Sequence, residues 1–318
     1  MTNQVDLSGI VSREFPAVAF VNHAAGGGRA GAHLPQIRQF LEMHELPTEI
    51  VSTLRTEELE ARARECIVTG HRLLMAIGGD GTFQGLANAA FGSDILISIL
   101  PAGGGNDFAA ALGLPENLIA AAEAVVCGRP RWVDLVRVRT ADGRERLYVG
   151  GGGVGLDADA AGYAGGAYRQ LPGRLRYVAS ALRALRGFEP LQVRAEFPES
   201  ELPSIESKVL LAGVLNTPTY GAGLRLAPEA QINDGWIDAV FVDDLNLWGV
   251  LKLLPRLMHS GDLRIPEVKR LRAKRVKMTT SRPCMFHRDG EIIGPAPVEI
   301  EVVPRAVQVL APAVDSDC

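Results

Sequence analysis

Two glycine-rich stretches carry the densest candidate chemistry in this sequence of 318 residues. Gly78-Gly79-Asp80-Gly81-Thr82 follows the apolar run Leu73–Ile77, and Pro101-Ala102-Gly103-Gly104-Gly105-Asn106-Asp107 follows Ile95–Leu100. Glycines at a strand end let backbone N–H groups close on phosphate oxygens, with a helix N-terminus behind them. Thr82 adds a hydroxyl donor. Asp80 repels phosphate, so it needs either a Mg²⁺ in between or a role in ordering the loop by hydrogen bonds. The plainer reading is a pair of tight turns whose Asp or Thr residues cap helices, Asp107 capping Phe108–Leu112. Two such loops at successive strand ends favour a ligand cradle, with Gly26-Gly27-Gly28 after the first strand as a third wall.

Familiar nucleotide patterns do not fit. The chain has no Gly-Lys dipeptide and hence no Walker A loop. Ala25–Ala30 reads AGGGRA where a dinucleotide fingerprint wants GxGxxG. His287-Arg288-Asp289 imitates a protein-kinase catalytic loop, but Gly294 stands where that loop needs Asn, and no Asp-Phe-Gly follows.

The loops need a frame. Runs Ala17–Val21, Glu49–Thr53, Leu73–Ile77 and Ile95–Leu100 read as strands and alternate with helical patterns, which predicts a parallel sheet wrapped by helices. In such sheets ligands sit beyond the carboxyl ends of the strands, where these loops fall. From Trp132 the pattern changes to short β-rich runs, VDLVRV, RLYVGGG, LQVRAEF, KVLLAGVLN, WIDAVFV, RVKMTT and VEIEVV, as in an antiparallel sandwich. Helical stretches Arg174–Arg186 and Leu247–Met258 interrupt them, and AVQVLAP reads as a last strand. The expected domains are 14–131 and 132–304, with a strand at about 305–318 going back to the first.

Composition narrows the class. The chain is 47% hydrophobic and 22% charged, which excludes wholesale disorder. Its formal net charge of −4 argues against a general nucleic-acid binder. No apolar run approaches the ~18 residues of a membrane span, and the first residues lack the pattern of a signal peptide. The four cysteines form no CxxC, so neither a disulfide scaffold nor a zinc site is expected. The expectation is a cytoplasmic protein.

GGDGT, followed about twenty residues on by P-x-G-x-x-N-D-F-A, resembles the diacylglycerol kinase and sphingosine kinase catalytic-domain family, nearest to its bacterial diacylglycerol kinase-like lipid kinases. The resemblance continues through Gly153–Ala158, Gly173–Tyr177, Tyr220–Gly223, Ala227–Asp238 and Asp289-Gly290-Glu291, in the family's order. It implies an N-terminal nucleotide-binding α/β domain of the phosphofructokinase/NAD kinase-like kind and a C-terminal antiparallel β-sandwich holding the lipid. The implied reaction is ATP-dependent phosphorylation of a lipid hydroxyl in the interdomain cleft, most readily on diacylglycerol, a step of phospholipid biosynthesis. The nucleotide residues carried over are Asn22, Thr53, Gly78, Gly79, Asp80, Gly81, Thr82, Gln84, Gly103, Gly104, Asn106 and Asp107. Glu291 is carried over as the base, with Asp289 as an orienting or metal-linked carboxylate. ATP and Mg²⁺ are the implied cofactors, and a structural Mg²⁺ would take Gln231, Asp234 and the Trp236 carbonyl. An Asn-Asp-Gly hairpin turn without metal is the plainer reading of that loop.

Three departures from the family stand out. Gly104 replaces the usual Thr or Ser, and Asn22-His23 replaces Asn-Pro. All five lysines lie in the second half, so a phosphate-neutralising cation in the first domain must be arginine, with Arg29 the candidate. A lipid substrate also implies transient, peripheral contact with a membrane surface. Arg174–Phe188 and the basic stretch Lys269–Lys277 could make it, although a packed helix and a solvated strand face are the favoured readings. A homodimer is compatible with the sequence. The rival functions are an NAD kinase-like enzyme and a nucleotide-binding regulator that has lost catalysis on the same fold.

Overall fold

A computed structural model describes residues 7–53, 55–156, 168, 179–180, 183–185, 187–259, 261, 264–289 and 291–312. The chain divides into two compact units, Met1–Val133 with Arg305–Cys318 and Asp134–Pro304. Asp157, Ala158, Gly173–Tyr177, most of the expected helix Arg174–Arg186, and Gly290 lie outside the described residues.

In the first unit, strands β1 (Ala17–Val21), β2 (Thr48–Ser52), β3 (Leu73–Gly78) and β4 (Leu96–Pro101) alternate with helices α1 (Ala25–Met43), α2 (Thr56–Thr69) and α3 (Asp80–Ala90). Helices α4 (Asp107–Ala111) and α5 (Leu118–Val126) follow β4. The strands lie in the order β2-β1-β3-β4, all parallel. Every residue of β1, β3 and β4 is buried. That burial explains their unbroken apolar sequences: a parallel sheet is covered on both faces, so neither face selects polar residues. The edge strand β2, TEIVS, is only half-buried. Because β2 lies on one side of β1 and β3 on the other, the strand order reverses at β1/β3, where open α/β sheets place ligands. Gly26, Gly27 and Gly28 have φ of +61°, +73° and +96°, so the regular turns of α1 begin only after this loop.

The second unit is antiparallel and β-rich. It comprises most of β5 (Arg129–Thr140), then β6 (Glu145–Tyr148), β7 (Gly151–Gly155), β8 (Leu191–Glu196), β9 (Ile205–Leu215) and β10 (Ile237–Asp243). Helix α6 (Leu247–Met258) precedes β11 (Val268–Ala273), β12 (Arg275–Thr280), β13 (Met285–Arg288) and β14 (Glu291–Pro295). Strand β9 pairs with β7, β8 and β10, and alternate residues such as Leu191, Val193 and Ala195 of β8 point into one core with Val136, Tyr148 and Phe286.

Two expectations on strands are corrected. RLYVGGG is two strands, broken at Val149-Gly150, because those residues hold a turn from the far end of the unit, described below. VEIEVV and AVQVLAP form a single strand, β15 (Val298–Ala311). Its first half pairs with β12 in the second unit, and Gln308 and Val309 run parallel to Leu96 and Ile97 of β4 in the first.

Candidate active site

The three glycine loops of the first unit meet at the carboxyl ends of β1, β3 and β4. The Ala102 N–H donates to the Gly78 carbonyl (2.8 Å), which extends the β3–β4 ladder into both loops. A Cβ on Gly103 would stand 2.5 Å from the Gly79 Cα, so the two backbones touch where only glycine fits. A Cβ on Gly26 would run into the Ala102 carbonyl, so the first loop abuts the third.

Of the two roles open to Asp80, ordering the loop is the one its contacts describe. Its Oδ2 accepts from the Asp107 N–H (3.0 Å) and its Oδ1 from the Phe108 N–H (3.1 Å). Asp80 therefore caps α4 from the first turn of α3, stabilised by the partial positive charge of both helix starts. Phe83 and Phe108 stack behind it, ring centres 4.6 Å apart. Asn106, in the left-handed region at φ +61°, closes its own loop: Oδ1 accepts from the Gly103 N–H and Nδ2 donates to the Gly103 carbonyl. The expectation that Asp107 caps the short helix gives way here, since Asp107 is its first residue and Asp80 supplies the cap.

The other carried-over residues separate into two groups. Gly79, Gly103, Gly104, Asn106 and Asp107 are half-buried and Gly81 is exposed, so their backbone can meet a ligand. Half-buried Asn22 accepts from the Ala24 N–H and shapes the first loop. Thr53, Thr82 and Gln84 are buried, Gln84 to 1% exposure, and in this arrangement they support the loops from within. Arg29 donates to the Glu116 carbonyl, tying the glycine loop to the segment before α5.

In the second unit, Asp289 and Glu291 lie at the β13–β14 hairpin. Arg288 pairs with Glu291, and Asp289 between them has the positive φ, +41°, that tight hairpin turns use. The Asp289 carboxylate accepts from the N–H groups of Gly151 (Oδ1, 3.0 Å) and Val149 (Oδ2, 3.2 Å), and its own N–H donates to the Gly151 carbonyl (2.8 Å). A Cβ on Gly150 would stand 2.6 Å from Oδ1, so any larger residue there must displace the Asp289 carboxylate. Burial pushes the Asp289 carboxyl above the usual carboxylate range, opposed by the amides of Gly151, Val149 and Gly150 and by Arg288. Glu291 stays exposed, with Oε2 3.5 Å from Arg288 Nη2. Two carboxylates two residues apart thus differ in duty: one docks the turn, the other is open to solvent.

Several supporting residues escaped sequence reasoning. Arg288 is 3% exposed and donates from Nη1 to the Leu147 carbonyl, fixing a cation behind Glu291. His287 is buried; its Nδ1 meets the Gly153 carbonyl (3.0 Å) and its Nε2 the Tyr220 hydroxyl. A carbonyl only accepts, so Nδ1 carries the proton and, in the neutral ring, Nε2 accepts from Tyr220. Asn216 Nδ2 donates to the carbonyls of Asp134 and Val149, and its N–H to the Gly150 carbonyl, which pins the β6–β7 break. The only available signal was the His-Arg pair before Asp-Gly-Glu, set aside as a false kinase loop.

The Gln231–Trp236 loop is a turn locked without metal. Asp234 Oδ1 accepts from the Trp236 N–H (3.0 Å), and Oδ2 is paired with Arg272. Arg272 and Lys274 both lie against the exposed Trp236 ring, and the buried Asp134 accepts from the Gly235 N–H (2.7 Å). A divalent ion would have to displace a guanidinium from the single carboxylate of the set and sit beside two cations. In this arrangement Gln231, Asp234 and Trp236 do not fit a resident Mg²⁺. Among the described residues no three His, Cys, Asp or Glu side chains are grouped to hold a metal ion.

The model of the diacylglycerol kinase catalytic domain matches residues 16–138, and that of the YegS C-terminal NAD kinase beta sandwich-like domain matches 152–311. A Mycobacterium tuberculosis protein named diacylglycerol kinase is 33% identical over 247 residues, 77% of this chain and 79% of that one. One of that name from Bacillus subtilis is 27% identical over 88% of this chain and 91% of its own. A Bacillus anthracis crystal structure described as a diacylglycerol kinase superposes with a TM-score of 0.72 at 18% identity, covering 93% of this chain and 97% of that one. At that identity the likeness speaks for the fold, an α/β unit followed by a β-sandwich-like one. By its sequence relatives and both domain models, the chain belongs to the family of bacterial diacylglycerol kinase-like lipid kinases.

Proposed function

We propose that this protein transfers the γ-phosphate of ATP to the hydroxyl of diacylglycerol or a related acyl lipid, a step that supplies phospholipid biosynthesis. The observation that supports this most is the pair of touching glycine loops at the ends of β3 and β4, with Asp80 spent on fixing them. Their backbones, at Gly79, Gly81, Gly103 and Gly104, present N–H groups suited to a polyphosphate, and the donor enters as ATP with its own Mg²⁺.

The lipid oxygen must lose its proton as it attacks phosphorus and the bond to ADP breaks. Glu291, exposed and backed by the Arg288 guanidinium, takes that proton. Asp289 acts on Glu291 by holding the hairpin against Val149 and Gly151. Gly104, lacking the hydroxyl usual in the family, leaves that contact with the nucleotide to backbone alone. The NAD kinase-like alternative is the weaker, since the relatives are named for lipid phosphorylation.

The test is transfer of labelled γ-phosphate from ATP into mixed micelles of diacylglycerol, monoacylglycerol, ceramide, sphingosine or phosphatidylglycerol, with NAD as an outside acceptor. Label in diacylglycerol, lost in Glu291→Gln, is the expected result. Label in NAD alone would replace the reading. ATP binding with no label anywhere would leave the regulator that has lost catalysis.

A further inference from the structure

Helix α6 starts with a side-chain cap, Asn246 Oδ1 accepting from the Gly249 N–H (2.9 Å). Its inner face puts Leu253 and Leu257 into a core with Leu226, Val240, Val242 and Val268. That satisfies the helix on one side only. The opposite stripe, at spacings of three and four, carries Trp248, Leu251, Lys252, Pro255 and Arg256, all exposed. Trp248 is 72% exposed and Leu251 37%. An indole so placed is costly in water, and large exposed apolar side chains grouped on one face mark an interaction site.

The charge on the stripe indicates the partner. From Leu245 to His259 there is no acidic residue, while Lys252 and Arg256 follow the indole one and two turns along the same stripe. Among the described residues neither has a carboxylate partner. The basic stretch on β11 and β12 differs: Lys269 pairs with Asp243, Arg272 with Asp234, Arg275 with Glu301 and Lys277 with Glu299. Four of the six cations of that stretch are thus paired with carboxylates, and Lys274 lies against the Trp236 ring. Trp with Leu, followed by long cations on a surface helix that carries no acidic residue, suits the boundary of an anionic bilayer, where the ring sits at headgroup depth and the cations reach phosphates.

We propose that the outer face of α6 docks this protein on anionic lipid surfaces, Trp248 and Leu251 entering the interface and Lys252 and Arg256 meeting headgroup phosphates. The chemistry of the stripe carries this, and its purpose rests on the lipid kinase reading above. The helix lies flat and does not span; no helix among the described residues is long and apolar enough to cross a membrane.

The experiment is co-sedimentation of the full chain with large vesicles of phosphatidylcholine, with and without phosphatidylglycerol. Trp emission is followed, and wild type is compared with Trp248→Ser and with Lys252→Gln/Arg256→Gln. We expect binding to the anionic vesicles with a blue shift that Trp248→Ser removes, and partitioning about tenfold weaker in Trp248→Ser. The double charge variant should fall on the order of tenfold on anionic vesicles and little on neutral ones. Phosphorylation of a water-soluble short-chain diacylglycerol should be the same in all three proteins. Trp248→Ser partitioning as wild type would overturn the proposal. So would unchanged vesicle binding with a shift from dimer to monomer on sedimentation, which would make the face a contact between copies. Vesicle binding that needs Trp248 in a protein phosphorylating no lipid would leave docking intact and sink only the kinase reading.

Discussion

The two candidate halves of the chemistry are built in opposite ways. The glycine loops of the α/β unit are backbone surfaces, held by neighbours in two consecutive strand–loop–helix segments: Asp80 caps α4, Asn106 closes its own loop and Phe83 stacks on Phe108. The hairpin of the β-rich unit is a side-chain site, held by residues more than a hundred positions away: Asp289 on Val149 and Gly151, Arg288 on Leu147, His287 on Gly153. A backbone cradle suits a constant ligand such as a polyphosphate. Proton transfer instead needs one carboxylate in one place, and that takes a scaffold of side chains. Removal of a single group should therefore hurt the two regions differently.

The sharpest expected contrast is Glu291→Gln, which should lower turnover by about 10²–10⁴-fold if this carboxylate is the general base, with ATP affinity unchanged. Loss of ATP affinity in step with rate, in single-turnover and binding measurements, would break the separation of duties. Next comes Asp238, buried on β10 and raised to about 6 by burial, with Asp234 adding to the effect and Arg272 opposing it. A carboxyl raised in the folded state holds its proton more tightly there than in the unfolded chain. The stability this gives is complete below about pH 4 and is lost as pH rises through 6. Asp238→Asn cannot ionise, so it should gain on wild type across that window by up to about 3 kcal/mol in urea denaturation. A difference that stays flat between pH 4 and 8 would mean that Asp238 is not desolvated.

Gly150→Ala should cost about 1–3 kcal/mol, because its methyl group must push Asp289 off the Val149 and Gly151 amides. Activity should fall further than stability does, as Glu291 follows the turn. Retained activity would show that the hairpin does not depend on this docking. The smallest effect belongs to the backbone cradle: Asp80→Ala removes the cap of α4 and should cost about 1 kcal/mol. ATP affinity should weaken modestly while transfer from bound ATP stays nearly normal. A collapse of transfer as deep as that of Glu291→Gln would give Asp80 a direct part in the chemistry and erase the contrast.

The sequence by itself determined the parts that are local. Unbroken apolar runs such as LLMAIG specify strands buried on both faces, and glycines directly after them specify loops whose backbone must come close to something. Period-two runs such as LQVRAE specify the antiparallel unit. Asp-Gly between two β-runs specifies the tight turn at Asp289. Only tertiary structure decided what those polar groups do. Asp80 reads as a phosphate-loop residue until α4 is seen to begin on it, and Asp234 reads as a metal ligand until β11 brings Arg272 alongside. The break in RLYVGGG is invisible without the turn that docks there, and the pairing of His287 with Tyr220 spans two separate segments. Periodicity records which side of an element is buried. A hydrogen bond between residues far apart in sequence leaves no period to read, because its geometry exists only once the sheet has closed.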